Sequence, residues 1–240
     1  MAIDFTKIDK WGLGKHFDHS VLPKNTNEED IRKGCREAIK YNCAAFYSAS
    51  LYWTPIVLEE LKGTDVLPAT GIDFPFGASP SKIKAFETEL AVKAGCKSVD
   101  IVINVGALRD KRYGVCKQEL VDFKNAAGDA MTKVILDTAF LTDDEIAAEC
   151  KLIAEVGCDY AKTATGQFEG PSMNQFMVMK RTLEGTPVKL KVAGVKFPRP
   201  QNAYAFLLAG AEIIGTRAAV EIIEALDQMR EIGLLPPYKG

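Results

Sequence analysis

The stretch Ile153-Ala154-Glu155-Val156-Gly157-Cys158-Asp159-Tyr160-Ala161-Lys162 reads as the end of a helix, a glycine stop and a short strand with a lysine near its end. Gly157 suits the left-handed residue that closes a helix, and Tyr160–Thr163 has the length and bulk of a buried strand. The plan returns elsewhere: residues 91–100, AVKAGCKSVD, and 207–216, LLAGAEIIGT, place a small apolar residue, a glycine and a strand in the same order. A repeated unit of helix and strand is the expectation.

Working outward, strands are predicted at Gly14–Asp18, Ala44–Ser48, Asp65–Gly71, Ser98–Asn104, Thr132–Thr138, Tyr160–Thr163, Val188–Val192 and Glu212–Gly215. Helical periods fill the gaps. One spans Glu28–Tyr41 behind Asn27, and one spans Ser81–Ala94 ahead of Gly95. Another starts at Thr142, whose pairing with Glu145 makes a capping box, and ends at Gly157. No linker or change of composition interrupts the alternation, so residues 1–240 are read as one domain. Eight such units build either an open doubly wound sheet or a closed (β/α)₈ TIM barrel, which typically runs to roughly 250 residues. The barrel is the expected fold, because ligand-type residues stand at the ends of many strands and only a barrel gathers all of those ends at one mouth.

Composition narrows the function classes. With 47% hydrophobic and 26% charged residues the chain has the balance of a globular protein. It lacks an apolar run near the roughly 20 residues that span a bilayer. The start, MAIDFTKIDKWGLGKH, has an early acid and no apolar core of a signal peptide, so a cytoplasmic protein with no membrane partner is expected. A net charge of −2, with lysine and arginine spread along the chain, argues against a nucleic-acid partner. Cys35, Cys43, Cys96, Cys116, Cys150 and Cys158 form no CxxC pair and only two histidines accompany them, so they are read as reduced core thiols rather than metal ligands.

The chemistry is carried by charged residues inside apolar strands. Side chains alternate faces along a strand, so in Val188-Lys189-Leu190-Lys191 the apolar pair faces the helices and Lys191 points inward; the same alternation turns Lys162 inward on the preceding strand. Two ammonium groups sharing a desolvated site lower the pKa of one of them. A neutral amine attacks a carbonyl and forms an imine, an electron sink for making or breaking the adjacent carbon–carbon bond. Asp100, in Val99-Asp100-Ile101-Val102, is a carboxylate suited to move the proton. Bland readings stand beside these: a strand-end lysine also serves as half of a structural ion pair, Asp100 equally suits that role, and Lys133 is read as an ion-pair partner. His16 and His19 flank Asp18 at the predicted end of the first strand, where they fit either substrate binding or rim hydrogen bonding. Gly12-Leu13-Gly14 precedes a strand and is discounted as a dinucleotide loop.

An ordered set of motifs then resembles the deoxyribose-phosphate aldolase (DeoC) family over nearly the whole chain. The set comprises Asp18-His19-Ser20 with Leu22-Pro23, Phe74-Pro75-Phe76-Gly77, residues 99–108 (VDIVINVGAL), and Lys133-Val134-Ile135-Leu136-Asp137-Thr138. It continues through Lys162-Thr163-Ala164-Thr165-Gly166, Lys191-Val192-Ala193-Gly194 and Gly215-Thr216. The resemblance implies a Schiff-base aldolase that needs no metal or cofactor and reversibly cleaves 2-deoxyribose 5-phosphate to acetaldehyde and glyceraldehyde 3-phosphate. It implies Lys162 as the imine-forming lysine, Lys191 as the second lysine that lowers its pKa, and Asp100 as the acid of proton transfer. It also implies a homodimer or higher homo-oligomer.

The departures cluster. Where the family reads Lys-Ala-Ser-Gly-Gly-Ile-Arg, this chain has Lys191-Val192-Ala193-Gly194-Val195-Lys196-Phe197, and Gly-Thr-Ser-Ser becomes Gly215-Thr216-Arg217-Ala218. Tyr47 stands where many relatives carry cysteine. The expected substrate site comprises Asp18, Thr165, Gly166, Gly194, Lys196, Gly215, Thr216 and Arg217, with Lys196, Arg199 and Arg217 replacing lost phosphate donors. The same changes suit a sugar without phosphate, or one carrying a carboxylate or sulfonate. A noncatalytic sugar-phosphate-binding barrel is the remaining alternative.

Overall fold

Short β-rich runs flanked by glycine-stopped helices close on themselves in the computed structural model, which describes residues 3–240. The strands are β1 (Phe17–Val21), β2 (Ala45–Ser48), β3 (Leu67–Ile72), β4 (Ser98–Val102), β5 (Met131–Ile135), β6 (Tyr160–Lys162), β7 (Lys189–Ala193) and β8 (Ile213–Thr216). All pair in parallel, each with its neighbour in sequence, and β8 pairs with β1 to close an eight-stranded barrel. The helices are α1 (Lys10–Gly14), α2 (Glu28–Lys40), α3 (Thr54–Leu61), α4 (Ser81–Ala94), α5 (Val105–Arg109), α6 (Tyr113–Ala127), α7 (Asp143–Val156), α8 (Met173–Thr182), α9 (Arg199–Ala209), α10 (Ala219–Glu224) and α11 (Leu226–Glu231). The expected TIM barrel is the observed fold. Among the described residues, no helix is long and apolar enough to cross a membrane.

Local chemistry sets the boundaries. Asn27 caps α2 in a reciprocal box with Asp30, and Thr142 does the same for α7 with Glu145. Gly95 and Gly157 close α4 and α7 in the left-handed region. The first strand corrects the sequence reading: Gly14 ends a helix, because the Asp9 side chain accepts from Gly12 N and nucleates a turn, and β1 starts only at Phe17. Glycine is required at that helix end, since a Cβ on Gly14 would lie 1.8 Å from the Tyr41 carbonyl oxygen. Asp18 is therefore the second residue of β1 rather than its last. The fifth strand stops at Ile135, not Thr138, because Asp137 takes a left-handed φ of 50° and a 3₁₀ turn follows over Thr138–Phe140.

Alternation divides the barrel into two interiors. Outward residues such as Phe17, Phe46, Val99, Ile101, Val134, Leu190, Val192 and Ile214 join the helices in one large core. The six cysteines are free and buried in that same layer. Inside the barrel the apolar cluster is small, Ala45, Tyr47 and Ala69, and the inward positions above it carry charge.

One further charged group lies between the helices and the sheet. Lys84 on α4 is buried, donates to Glu119 Oε2 at 2.6 Å and to the Val102 carbonyl at 2.8 Å, and so ties α4 and α6 to β4. Glu149 on α7 is buried with neither carboxylate oxygen hydrogen-bonded, and burial first, then the nearby Glu119, pushes its pKa up to about 8. A group raised in the folded state gives stability that is present below the unfolded carboxylate pKa and disappears as pH climbs through the folded value. Glu149→Gln is thus expected to match the parent near pH 4 and to exceed it by a few kcal/mol above pH 8, as read from urea midpoints across that range.

Candidate active site

Strand β4 places Val99 and Ile101 against the helices, and this leaves Asp100 pointing into the barrel. The register of β6 on β7 sets Lys162 directly beside Lys191, and that of β4 on β5 sets Asp100 beside Lys133. Both Lys162 Nζ and Lys191 Nζ donate to the same oxygen, Asp100 Oδ2, each at 2.8 Å. The two nitrogens are therefore no more than twice that distance apart. Lys191 also reaches Asp18 Oδ2 at 2.6 Å, and Lys133 reaches the same oxygen at 2.8 Å. Tyr47 on β2 donates from Oη to Asp100 Oδ1 at 2.5 Å and accepts from Lys133 at 3.2 Å.

These six side chains are buried, with Lys162 the most accessible at 6% exposure. Fully ionised, three lysines and two aspartates would leave one uncompensated positive charge in a desolvated space, a costly state that the loss of one proton relieves. Burial lowers the pKa of both Lys133 and Lys162, and of these two Lys162 is the one that lines a cavity. Burial drives its pKa down to about 8; the Asp100 contact opposes this and the Lys191 charge adds to it. Burial acts downward on Lys191 too, but Asp100 and Asp18 together outweigh it and hold that ammonium above the ordinary lysine value. Burial pushes the Asp100 carboxyl up, yet Lys162, Lys191 and Lys133 keep it well below the usual carboxylate range.

Lys162 and Asp100 face a small cavity walled by Leu22, Tyr47, Phe74 and Lys191. Ser20, Leu22, Thr165, Ala193 and Gly215 also line an adjoining cleft of about 420 Å³, so the two form one space. The far end of the cleft is made by Gly166, Gly194, Thr216, Arg199 and Arg217. Thr165 is fixed by Asp137, whose Oδ1 accepts from its backbone N at 2.7 Å and its hydroxyl at 3.1 Å. Gly215 packs beneath Lys191: a Cβ there would sit 2.9 Å from Lys191 Cε. Around the mouth, Phe140 and Phe76 each meet the ring of Phe168, at 5.7 and 5.8 Å between centroids.

The sequence-predicted residues separate into three groups. Asp18, Asp100, Lys162 and Lys191 form the buried cluster. Thr165, Gly166, Gly194, Gly215, Thr216 and Arg217 line the cleft. Lys196 does not join them: it is exposed, pairs with Glu169 at 3.0 Å and lies outside the lining, because the β7 loop carries it outward. Of the residues read two ways, Lys133 is an ion-pair partner, His16 bonds the Glu212 carbonyl at 2.8 Å and His19 bonds Glu37 at 3.0 Å. Sequence reasoning missed the Tyr47–Asp100 contact and the Asp137 brace. The first leaves no local signal, whereas a carboxylate just past a strand end, as at Asp137, is a pattern that could have been followed.

With this geometry in place the kinship is legible. A family model described as DeoC/LacD family aldolase matches residues 14–199. The chain belongs to that family. It is 38% identical over 213 residues to the deoxyribose-phosphate aldolase of Clostridium tetani (strain Massachusetts / E88), covering 88% of this chain and 98% of that one. It is also 38% identical over 212 residues to the deoxyribose-phosphate aldolase of Streptococcus sanguinis (strain SK36), covering 88% and 96%. Among solved structures it is similar to the aldolase QR15, with a TM-score of 0.83 and 25% identity over 92% of this chain and 98% of that one.

The close packing under Lys191 yields a test. Lys191 is pinned by two carboxylates and cannot swing aside freely, so Gly215→Ala is expected to cost about 1–3 kcal/mol from overpacking, read as a lowered denaturant midpoint with an unchanged far-ultraviolet spectrum.

Proposed function

We propose that this protein is a class I aldolase that reversibly cleaves 2-deoxyribose 5-phosphate to acetaldehyde and glyceraldehyde 3-phosphate, with the imine formed on Lys162. The observation that carries the reading is a buried Lys162 held beside the Lys191 ammonium inside a closed barrel: burial first, then the Lys191 charge, bring the Lys162 pKa down to about 8 against the opposing pull of Asp100. The names of the curated relatives point the same way.

The neutral amine attacks the aldehyde carbon of the open-chain sugar, and the resulting carbinolamine loses water to give a protonated imine. That cation withdraws the electron pair of the C2–C3 bond as the C3 hydroxyl loses its proton. The bond breaks, glyceraldehyde 3-phosphate departs, and an enamine is left on Lys162. Protonation of the enamine at C2 and hydrolysis of the imine release acetaldehyde and restore the amine. Asp100, held as a carboxylate between the Lys162 and Lys191 nitrogens, accepts and returns protons, and Lys191 remains the fixed cation beside the reacting nitrogen. The phosphate fits the far end of the cleft, where Arg199 and Arg217 offer charge-assisted donors beside the backbone of Gly166, Gly194 and Gly215.

The reading takes residues 1–240 as one working domain. It includes a cytoplasmic site of action, supported by six free, buried thiols. It also includes self-association, supported by exposed Ile83, Phe86 and Leu90 along one face of α4.

Lys162→Ala should abolish the adduct that borohydride traps with acetaldehyde while the far-ultraviolet spectrum is kept; an adduct of undiminished yield in this variant would overturn the assignment. Lys191→Leu removes the neighbouring cation, so the Lys162 pKa rises and the pH midpoint for imine trapping moves upward. Arg217→Ala should raise KM for 2-deoxyribose 5-phosphate about tenfold or more and leave unphosphorylated 2-deoxyribose unaffected. Equal effects on both sugars, or faster cleavage of the unphosphorylated one by the parent, would replace the phosphate reading with a neutral substrate end.

A further inference from the structure

Tyr47 contacts Asp100, Lys133 and Lys191 around the proposed reacting amine. Its Oη donates to Asp100 Oδ1 and lies 3.2 Å from Lys133 Nζ, while its ring lies under Lys191 Nζ at 4.0 Å from the centroid and within 5.7 Å of Lys162 Nζ. Ser98 Oγ, at 2.8 Å, steadies the phenol from below. Both oxygens of Asp100 are thereby committed, Oδ1 to the phenol and Oδ2 to the two lysines.

We infer that Tyr47 is a positioning residue of the aldol reaction proposed above: its hydroxyl locks the Asp100 carboxylate so that one oxygen stays between Lys162 and Lys191, and its ring holds Lys191 as a cation. The reason is electrostatic. Lys191 must remain charged for Lys162 to be neutral, and a further carboxylate beside it would achieve the first at the expense of the second, since it would favour the ammonium form of Lys162 as well. An aromatic face attracts a cation without adding formal charge. The phenol O–H acts in the same sense. By donating to Asp100 it takes up part of the carboxylate's negative charge and weakens the pull of that carboxylate on the Lys162 proton. Burial and the adjacent Asp100 raise the phenol well above its ordinary value, so it stays a donor across the working range.

The groups that set the Lys162 titration are Asp18 on β1, Tyr47 on β2, Asp100 on β4, Lys133 on β5, Asp137 in the turn after β5 and Lys191 on β7. Among them Tyr47 is the one that can lose a single hydroxyl without changing the formal charge. Tyr47→Phe keeps the ring and its volume; Tyr47→Leu removes the ring too. In both, the Lys162 midpoint should rise, by roughly half to one unit for Phe and further for Leu, where Lys191 also loses its aromatic support.

The test combines two measurements on the full chain. Resonances of lysine labelled with ¹³C at Cε, with Lys162 assigned by its loss in Lys162→Arg, give the amine midpoint without any turnover. Steady-state cleavage of 2-deoxyribose 5-phosphate gives kcat and KM. For Tyr47→Phe the expected result is an upward-shifted midpoint, a kcat lowered about tenfold or more and a KM within about twofold of the parent. A parent-like midpoint in Tyr47→Phe overturns the inference, whether or not kcat falls, because a merely structural role would lower stability without moving that titration. If the parent itself cleaves no sugar, the proposed function fails; a shifted midpoint in the variant would then still show Tyr47 governing the amine.

Discussion

A single oxygen atom, Oδ2 of Asp100, accepts from two lysine nitrogens on neighbouring strands, and the register of the barrel makes that contact. Neither lysine reaches it from a flexible loop. Lys162 and Lys191 are register partners on β6 and β7, while Asp100 stands on the second strand before β6. The aspartate spans the barrel interior because sheet closure brings its strand round to face them. Precision of this kind comes from rigid elements, which hold a constellation more closely than loops do.

The cluster is also a problem in charge. Two anions cannot balance three cations in a space that water barely enters, so folding and reactivity are bound to the same event, the departure of one proton. Lys191 contacts both carboxylates, Lys133 shares the Asp18 oxygen with it, and Lys162 shares the Asp100 oxygen with it. Of the two amines with a single shared carboxylate, Lys162 is the one that lines the cavity. Desolvation acts downward on all three amines, and the unequal placing of the two carboxylates and the access to the cavity set Lys162 apart.

The parts of this arrangement that follow strand periodicity are legible in the chain itself. Asp100, Lys162 and Lys191 each interrupt an apolar alternation, and a charge on the inward face of a barrel strand has to be paired or put to chemical use. Pairing across the barrel leaves no such trace. Lys133 and Asp18 are separated by 115 positions, and their contact depends on how the first and last strands close. Tyr47 has the look of an ordinary strand aromatic, since tyrosine is favoured in β-structure whatever it touches. The first strand starts later than its residues suggest because the side-chain cap at Asp9 makes a brief helix from a stretch that two of its five residues, both glycine, disfavour. Charge alone points Lys196 toward the cleft; the geometry of the β7 loop, which turns it toward Glu169, has no signature in residue type.

The packed rings of Phe76, Phe140 and Phe168 stand on loops that follow β3, β5 and β6, whereas Arg199 and Arg217 follow β7 and β8. The entrance therefore has an oily bank and a cationic bank. A visitor bearing one anionic tail experiences that asymmetry as a torque before it makes any contact with the amine. The field of the two arginines favours the tail on their side and leaves the carbonyl end toward the interior.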